Sequence, residues 1–299
     1  MSQRDDEETK QPPAADAAAN RPRALRRRQD RKDASKINAA TSAKANNDHQ
    51  IRAMQTSARK QPAQLPAQHF DKPGNEHGMA LEPRVLAPDD RSSAKLDGKA
   101  ALVTGGDWSI GGAVAVQSAR EGADVSIVSP NEHCNAEEAG RCVVAEGRRC
   151  QLIACDVKVA ASCRKAVERS VQAFGAIDVP VTNATFLEHA DAIADAPEQR
   201  FEETPLTTVY GYLHRAKAVL PKLKRGSCVN GAARWPERTP LNPADEPAGE
   251  RATSRSRTDL KRAAPPDGLS PDYAFLTSPA WSGYIAGTVL PVSGRVGAI

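Results

Sequence analysis

The segment KAALVTGGDWSIGGAVAVQSAREG, residues 99–122, constrains the fold more than any other. It opens on a short apolar run followed by glycines, the pattern of a buried strand entering a tight turn. Ile110 to Glu121 then carries a helical pattern, and Gly122 ends it in the manner of a left-handed C-terminal cap. A strand, a glycine-rich turn and a helix aim backbone N–H groups and a helix N-terminus at one spot, where a pyrophosphate can sit. Glycine is needed where the chain turns sharply or where a side chain would strike the phosphate. A glycine trio alone is a weak signal, and its place between a strand and a helix strengthens it.

The alternation continues down the chain. ADVSIVS (123–129) predicts a second strand, and NAEEAGRCVVAEG a second helix from Asn135 as N-cap to Gly147 as terminator. CQLIACDV (150–157) predicts a third strand, Ala160 to Phe174 a third helix closed by Gly175, and AIDVPVTNA (176–184) a fourth strand. Strands alternating with helices imply a parallel sheet with helices on both faces, and the mostly apolar strands fit a sheet covered on both sides. Pro180 conflicts with a central fourth strand, which would need its N–H.

The second half is less regular. Pro205 to Leu223 predicts a long helix with Val209, Leu213, Ala216 and Leu220 at helical spacing, and GSCVNGA (226–232) a fifth strand. Residues 234–271 are then dense in Pro, Arg, Asp and Glu, and so long a run is improbable as a structured loop. A short helix with Ser270 as its cap and a last strand at 287–294 follow. The expected fold class is α/β: a Rossmann-like doubly wound parallel sheet, incomplete in its second half, with a disordered N-terminal arm. The expected division is an arm at 1–95, a core at 96–233, an irregular insert at 234–270 and a completing helix and strand at 271–299.

Composition agrees with a globular part smaller than the chain. Aromatics make up 4% of the 299 residues, mean hydropathy is -0.54, and the apolar residues concentrate between residues 99 and 231. The net charge of +4 implies no polyanionic partner by itself. RPRALRRRQDRK (21–32) could meet phosphates, but it has no interleaved aromatic for base stacking and reads as a solvated arm, so nucleic acid is not expected as a partner. No apolar run approaches the roughly 20 residues of a membrane span. The N-terminus has no apolar signal region, so the expected location is cytoplasmic. Five of the six cysteines fall between Cys134 and Cys163 at spacings of 8, 8, 5 and 8, which reads as reduced thiols rather than a zinc site. His133, His189 and His214 form no ligand pair, so no metal is expected. There is no GxSxG elbow, and the glycine loop lacks the Lys-Ser/Thr of a nucleoside-triphosphate loop.

LDGKAALVTGGDWSIGGAVAVQSAREGADVSIV resembles the start of a short-chain dehydrogenase/reductase, whose loop is TGxxxGxG. Thr104, Gly105 and Gly111 match, and Ser109 stands at the middle glycine. Asp156 and Val157 resemble the Asp-Val that faces the adenine, and Asn183 and Ala184 in TNAT resemble the NNAG-type motif. YIAGTVLPVSG resembles the closing strand, and PAQHFDKPGNEHGMALEP (66–83) the N-terminal extension of a bacterial subgroup close to glucose and alcohol dehydrogenases. The resemblance spans 66–233 and 271–294, about two thirds of the chain. It implies NAD or NADP as cofactor and a small alcohol or sugar as substrate. It assigns cofactor contacts to Thr104, Gly105, Asp107, Ser109, Ile110, Gly111, Asp156, Val157, Asn183 and Ala184. The second strand ends at Ser129, with neither an Asp for a ribose diol nor an Arg for a 2′-phosphate, so the choice of dinucleotide stays open.

The same resemblance exposes departures. The family moves its proton with a Tyr–Lys pair spaced YxxxK, assisted by a serine and an asparagine. Thr208 stands at the asparagine's place, Ala233 at the serine's, and Glu246 and Glu250 at the Tyr and Lys places by ungapped counting. No YxxxK occurs: Tyr210 is followed by His214, Tyr273 by Thr277, and Tyr284 by Thr288. The helix that should carry the pair, the family's usual dimer face, is expected to be missing, its place taken by the charged, proline-rich run, so a homo-oligomer is not expected. At Ser109 either the hydroxyl bonds a phosphate oxygen, or a positive φ costs a non-glycine residue about 1 kcal/mol. Weakened dinucleotide binding is the expectation. An oxidoreductase, a non-catalytic dinucleotide-binding or scaffold protein, a degenerate relic, and a polyanion binder acting through the arm are the rival readings.

Overall fold

The computed structural model of the chain describes residues 68, 78–80, 83–87, 90–130, 134–186, 198–223, 227–234, 237, 239–240, 258–260 and 263–294. The basic cluster at 21–32, His133 and His189, and the positions of Glu246 and Glu250 lie outside the described residues.

β1 (Ala100–Thr104) is buried along its whole length, as a strand of Ala, Leu and Val at the centre of a covered sheet must be. It pairs in parallel with β2 (Asp124–Ser129) on one side and β4 (Val179–Thr182) on the other, and β3 (Cys150–Ala154) lies beyond β2. The order β3-β2-β1-β4 is that of a doubly wound fold, reached by way of α1 (Ser109–Arg120), α2 (Cys134–Ala145) and α3 (Ala160–Phe174). Strand alternation builds a core on each face. Val103, Val125 and Ile127 meet Val114 and Val143 on one side, while Leu102, Val128 and Ile153 meet Val167 and Val219 on the other. Burying each such side chain fully is worth about 1.5–3 kcal/mol. A polar pair sits within the second layer: Ser126 donates to Ser170 of α3 at 2.8 Å.

The helix stops expected from glycine are present, since Gly122, Gly147 and Gly175 hold φ of 103°, 78° and 83°. The segment before β1 packs on α1 and on the 3-10 turn Pro266–Gly268, which leads into α6 (Ser270–Thr277). Leu96 is fully buried, Arg84 pairs with Asp267 at 2.8 Å, and Arg120 donates to the Ala87 carbonyl at 2.7 Å.

Several elements differ from expectation. α2 starts at Cys134, so Asn135 lies inside it rather than capping it. Ser270 is the first helical residue of α6, and the N-cap position falls on Leu269. The predicted helix from Pro205 to Leu223 is composite. It comprises α4 (Glu198–Pro205), a π-helical turn at Leu206–Tyr210, α5 (Gly211–Val219) and a 3-10 turn at Leu220–Lys222. The wider turn rotates the helix about its axis. α5 therefore buries Gly211, Arg215 and Val219, and the expected inner residues Val209, Leu213 and Leu220 are 54%, 45% and 58% exposed.

The fifth and last strands are shorter than predicted. β5 (Gly231–Arg234) and β6 (Val289–Val292) pair with each other in a separate parallel sheet, so each extends only as far as the other can match it. β4 is consequently the edge of the larger sheet, where Pro180 sits exposed opposite Leu102. The edge position eases the conflict over Pro180 only in part: its nitrogen faces β1, as that of Asp178 does, so the ladder to β1 lacks one bond. Among the described residues no helix is long and apolar enough to cross a membrane.

Candidate functional site

Parallel strands end together, so β1, β3 and β4 deliver Thr104, Asp156 and Asn183 to one edge of the sheet. The loop between β1 and α1 forms the middle of that edge. Gly105 takes φ +61°, and its carbonyl oxygen accepts a hydrogen bond from Asn183 Nδ2 at 3.1 Å. Gly111, in the first turn of α1, lies against the same carbonyl. A Cβ there would overlap the Gly105 oxygen and lie 2.7 Å from Asn183 Nδ2. The glycine spacing seen in the sequence thus reflects a close approach of backbone to backbone.

One hydroxyl joins the strand ends. Thr104 Oγ1 donates to the Val181 carbonyl at 3.2 Å and accepts from the backbone N–H groups of Asn183 at 3.2 Å and Ala184 at 3.4 Å. It also accepts from Arg215 Nη1 at 2.7 Å. α1 begins behind an extended Trp108, with no capping side chain and no acidic residue in its first turn. Such a helix end suits an anion. Asp107 and Ser109 are buried in the loop, and Ile110 is buried in the core beneath it. Ser109 holds φ +52°, the left-handed conformation that costs a non-glycine residue about 1–2 kcal/mol.

The structure gathers Thr104, Gly105, Gly111, Asn183 and Ala184 into one network, with Asp107 in the same loop and Ser109 and Ile110 opening α1. Asp156 and Val157 reach the same edge two strands away, at the end of β3. Asp156 Oδ1 accepts the Lys158 N–H at 2.9 Å, and Val157 is buried against Gly211 of α5. Thr208 Oγ1 lies 3.1 Å from Thr185 Oγ1, which places it beside the TNAT turn. Ala233 is exposed on β5.

Three residues at this edge escaped the sequence reading. Arg234, closing β5, donates to Asn183 Oδ1 at 3.1 Å and to the Tyr273 hydroxyl at 2.7 Å, and pairs with Glu237 at 3.3 Å. It thereby ties the small sheet and α6 to the glycine loop. Burial pushes the Tyr273 phenol up, against the opposing charge of Arg234. Arg215 is 5% exposed, and burial lowers it to about 10. The sequence signal for Arg234 was an arginine directly after the small residues GAA. Arg215 had no signal, because helical spacing turned it outward.

Residues 99–232 match the short chain dehydrogenase family. The oxidoreductase YhxC of Bacillus subtilis is 33% identical over 274 residues, which span 77% of this chain and 95% of the relative. The glucose and ribitol dehydrogenase of Daucus carota is 30% identical over 278 residues, spanning 77% and 95%. A short-chain dehydrogenase of Burkholderia cenocepacia J2315, crystallised with NADP, superposes with a TM-score of 0.63 at 26% identity, covering 68% of this chain and all of that one. With the strand order and the glycine loop, these likenesses establish that the chain belongs to the short-chain dehydrogenase family.

Proposed function

We propose that the chain binds NAD or NADP along the C-terminal edge of the larger sheet, and that the family's hydride transfer between alcohol and carbonyl is lost or strongly reduced. The observation that carries the binding is the seating of Gly111 on the Gly105 carbonyl, bridged by Asn183. That contact draws the first turn of α1 onto the loop, and the helix start, with no capping side chain and no acidic residue in its first turn, suits a phosphate. The bound dinucleotide would supply or accept the hydride. Backbone donors from Gly105 to Gly111 would bind its pyrophosphate, Thr104 and Asn183 would hold the loop in shape, and Asp156 with Val157 would line the adenine side. Ser109 weakens the fit through its Cβ and its left-handed backbone.

The loss of turnover rests on the sequence. None of its four tyrosines, Tyr210, Tyr212, Tyr273 and Tyr284, has a lysine four residues on. A tyrosine without that neighbour keeps its proton too tightly for efficient transfer near neutral pH. A second reading, an active reductase of small sugars or alcohols, is favoured by the carrot glucose and ribitol dehydrogenase, 95% of whose length is matched.

Calorimetric titration of NADPH and NADH into the folded full-length chain separates these. The expected result is binding at about 10–100 μM, equivalent to about 5.5–7 kcal/mol, with no oxidation of NADPH by aldehydes or sugars. Turnover well above the buffer rate would establish the second reading. A folded chain that binds neither dinucleotide would refute both.

A further inference from the structure

No ladder joins β4 to β5 among the described residues, so backbone pairing does not fix one sheet against the other. The small sheet is latched at its start. Asn230, just before β5, donates from Nδ2 to the Ile285 carbonyl at 2.9 Å, and its Oδ1 accepts the Thr288 N–H at 3.2 Å. At the other end of β5, Arg234 reaches across the gap. Its Nη2 donates to Asn183 Oδ1 at 3.1 Å, its Nη1 donates to the Tyr273 hydroxyl at 2.7 Å, and its Nε lies 3.3 Å from Glu237 Oε1. The phenol and the carboxylate hold the guanidinium plane, which leaves one prong of the fork for Asn183.

The Asn183 amide has two ends of opposite character. Nδ2 donates to the Gly105 carbonyl at 3.1 Å, while Oδ1 accepts from Arg234. In the reversed orientation Oδ1 would face the Gly105 oxygen, acceptor against acceptor, and Nδ2 would face the guanidinium, donor against donor. Arg234 therefore sets which way the amide points, and a charged donor does so more firmly than a neutral one. The amide also packs on the glycines themselves, since a Cβ at Gly105 or Gly111 would lie 3.2 Å or 2.7 Å from Nδ2. Gly105 holds φ +61°, and its N–H donates to the Val128 carbonyl at 2.7 Å. What fixes the amide thus fixes the turn.

We propose that Arg234 is a positioning residue for the dinucleotide, acting through the Asn183 amide to hold the turn from Gly105 to Gly111 in its phosphate-binding shape. The proposal rests on the dinucleotide reading above. Tyr273 serves the same end by holding Arg234, which gives this phenol, with no lysine four residues on, a role other than proton transfer. The small sheet and α6 thereby act on the glycine loop through one side chain, although no backbone bond of β5 reaches β4.

The test measures amide hydrogen exchange of the peptide spanning residues 104–112 in the unliganded full-length chain, with NADPH titration beside it. Arg234→Met should speed exchange of that peptide about tenfold and weaken NADPH binding about tenfold, the size expected for one lost charged hydrogen bond. In the Asn183→Ala background the same substitution should change neither quantity by more than about twofold, because Arg234 then has nothing to act through. A residue that only props the small sheet would give the same change with and without Asn183, and that result overturns the proposal. So does unchanged exchange in Arg234→Met. A loosened loop with unchanged NADPH binding overturns the link to the dinucleotide. Should circular dichroism show the Met variant unfolded, Arg234→Gln, which stays polar but loses the cation and the fork, decides on the same comparison with and without Asn183. A parent chain that binds neither dinucleotide sinks the reading above, while exchange in the unliganded chain still decides whether Arg234 holds the loop.

Discussion

Gly111 lies against the carbonyl oxygen of Gly105, so close that a single methyl group at residue 111 would overlap it. Gly111→Ala therefore has to push the loop away from Asn183. The expected cost is about 1–3 kcal/mol, as for overpacking elsewhere, with loss of dinucleotide binding. Gly112→Ala is the control, since a Cβ there meets nothing nearer than 3.7 Å. Urea melts and calorimetry on the two variants check the contrast. Equal behaviour would mean the loop is not held by that contact.

Ser109 carries φ +52° next to the proposed phosphate path. Ser109→Gly removes the strain and the Cβ together. It should stabilise the fold by about 0.5 kcal/mol, once the extra entropy of an unfolded glycine is set against the gain. NADPH binding should tighten about 3–10-fold, or about 0.7–1.4 kcal/mol. Weaker binding in the variant would show instead that the hydroxyl serves the phosphate.

Asp124 anchors the start of β2 to β3. Burial alone would raise its carboxyl, but hydrogen bonds from the Arg149 side chain and backbone, with the charges of Arg148 and Arg149, hold it below the ordinary 3.8. A lowered folded value means stability that is present above pH 3.8 and lost as pH falls through the folded value. Asp124→Asn should cost about 1 kcal/mol at pH 7, a figure kept small because Arg149 is largely exposed. The gap from the parent should close below pH 3.8. Denaturant midpoints at pH 7 and pH 3 test this, and a gap that persists in acid would refute it.

Pro180 interrupts the ladder between β4 and β1. Asp178 donates to the Ala100 carbonyl at 2.9 Å, so alternation aims the nitrogen of residue 180 at β1 as well. Pro180→Val restores a donor there. The expected gain is about 0.5 kcal/mol, a typical hydrogen bond less the added freedom of the unfolded chain. A lower urea midpoint in the variant would show that no acceptor waits for it.

Much of the first half was legible because its determinants are local. KAALVTG, ADVSIVS and CQLIACDV are apolar runs of strand length, and each helix between them ends on a glycine whose backbone the structure turns positive. The glycine loop was legible for the same reason, since Gly105 and Gly111 answer to contacts within a few residues of themselves and to one asparagine that the family resemblance already marked. The positive φ at Ser109 was foreseen as one of two outcomes, and it occurs.

The sequence by itself determined the class of the fold, the places of its first four strands along the chain and the place of the loop, because burial period and turn chemistry are written in adjacent residues. Tertiary structure alone decided the rest. The π-helical turn at Leu206–Tyr210 rotated α5, took Arg215 inward and left Val209 and Leu213 exposed, which no periodicity in the sequence announces. The pairing of β5 with β6 made β4 an edge and brought Arg234, 51 residues from Asn183 in sequence, to its side chain. Likewise Arg215 reaches the Thr104 hydroxyl, 111 residues away in sequence, only because α5 closes over that face of the sheet. Contacts of that kind are chosen by the shape of the assembled core, and the residues that make them carry no mark of it along the chain.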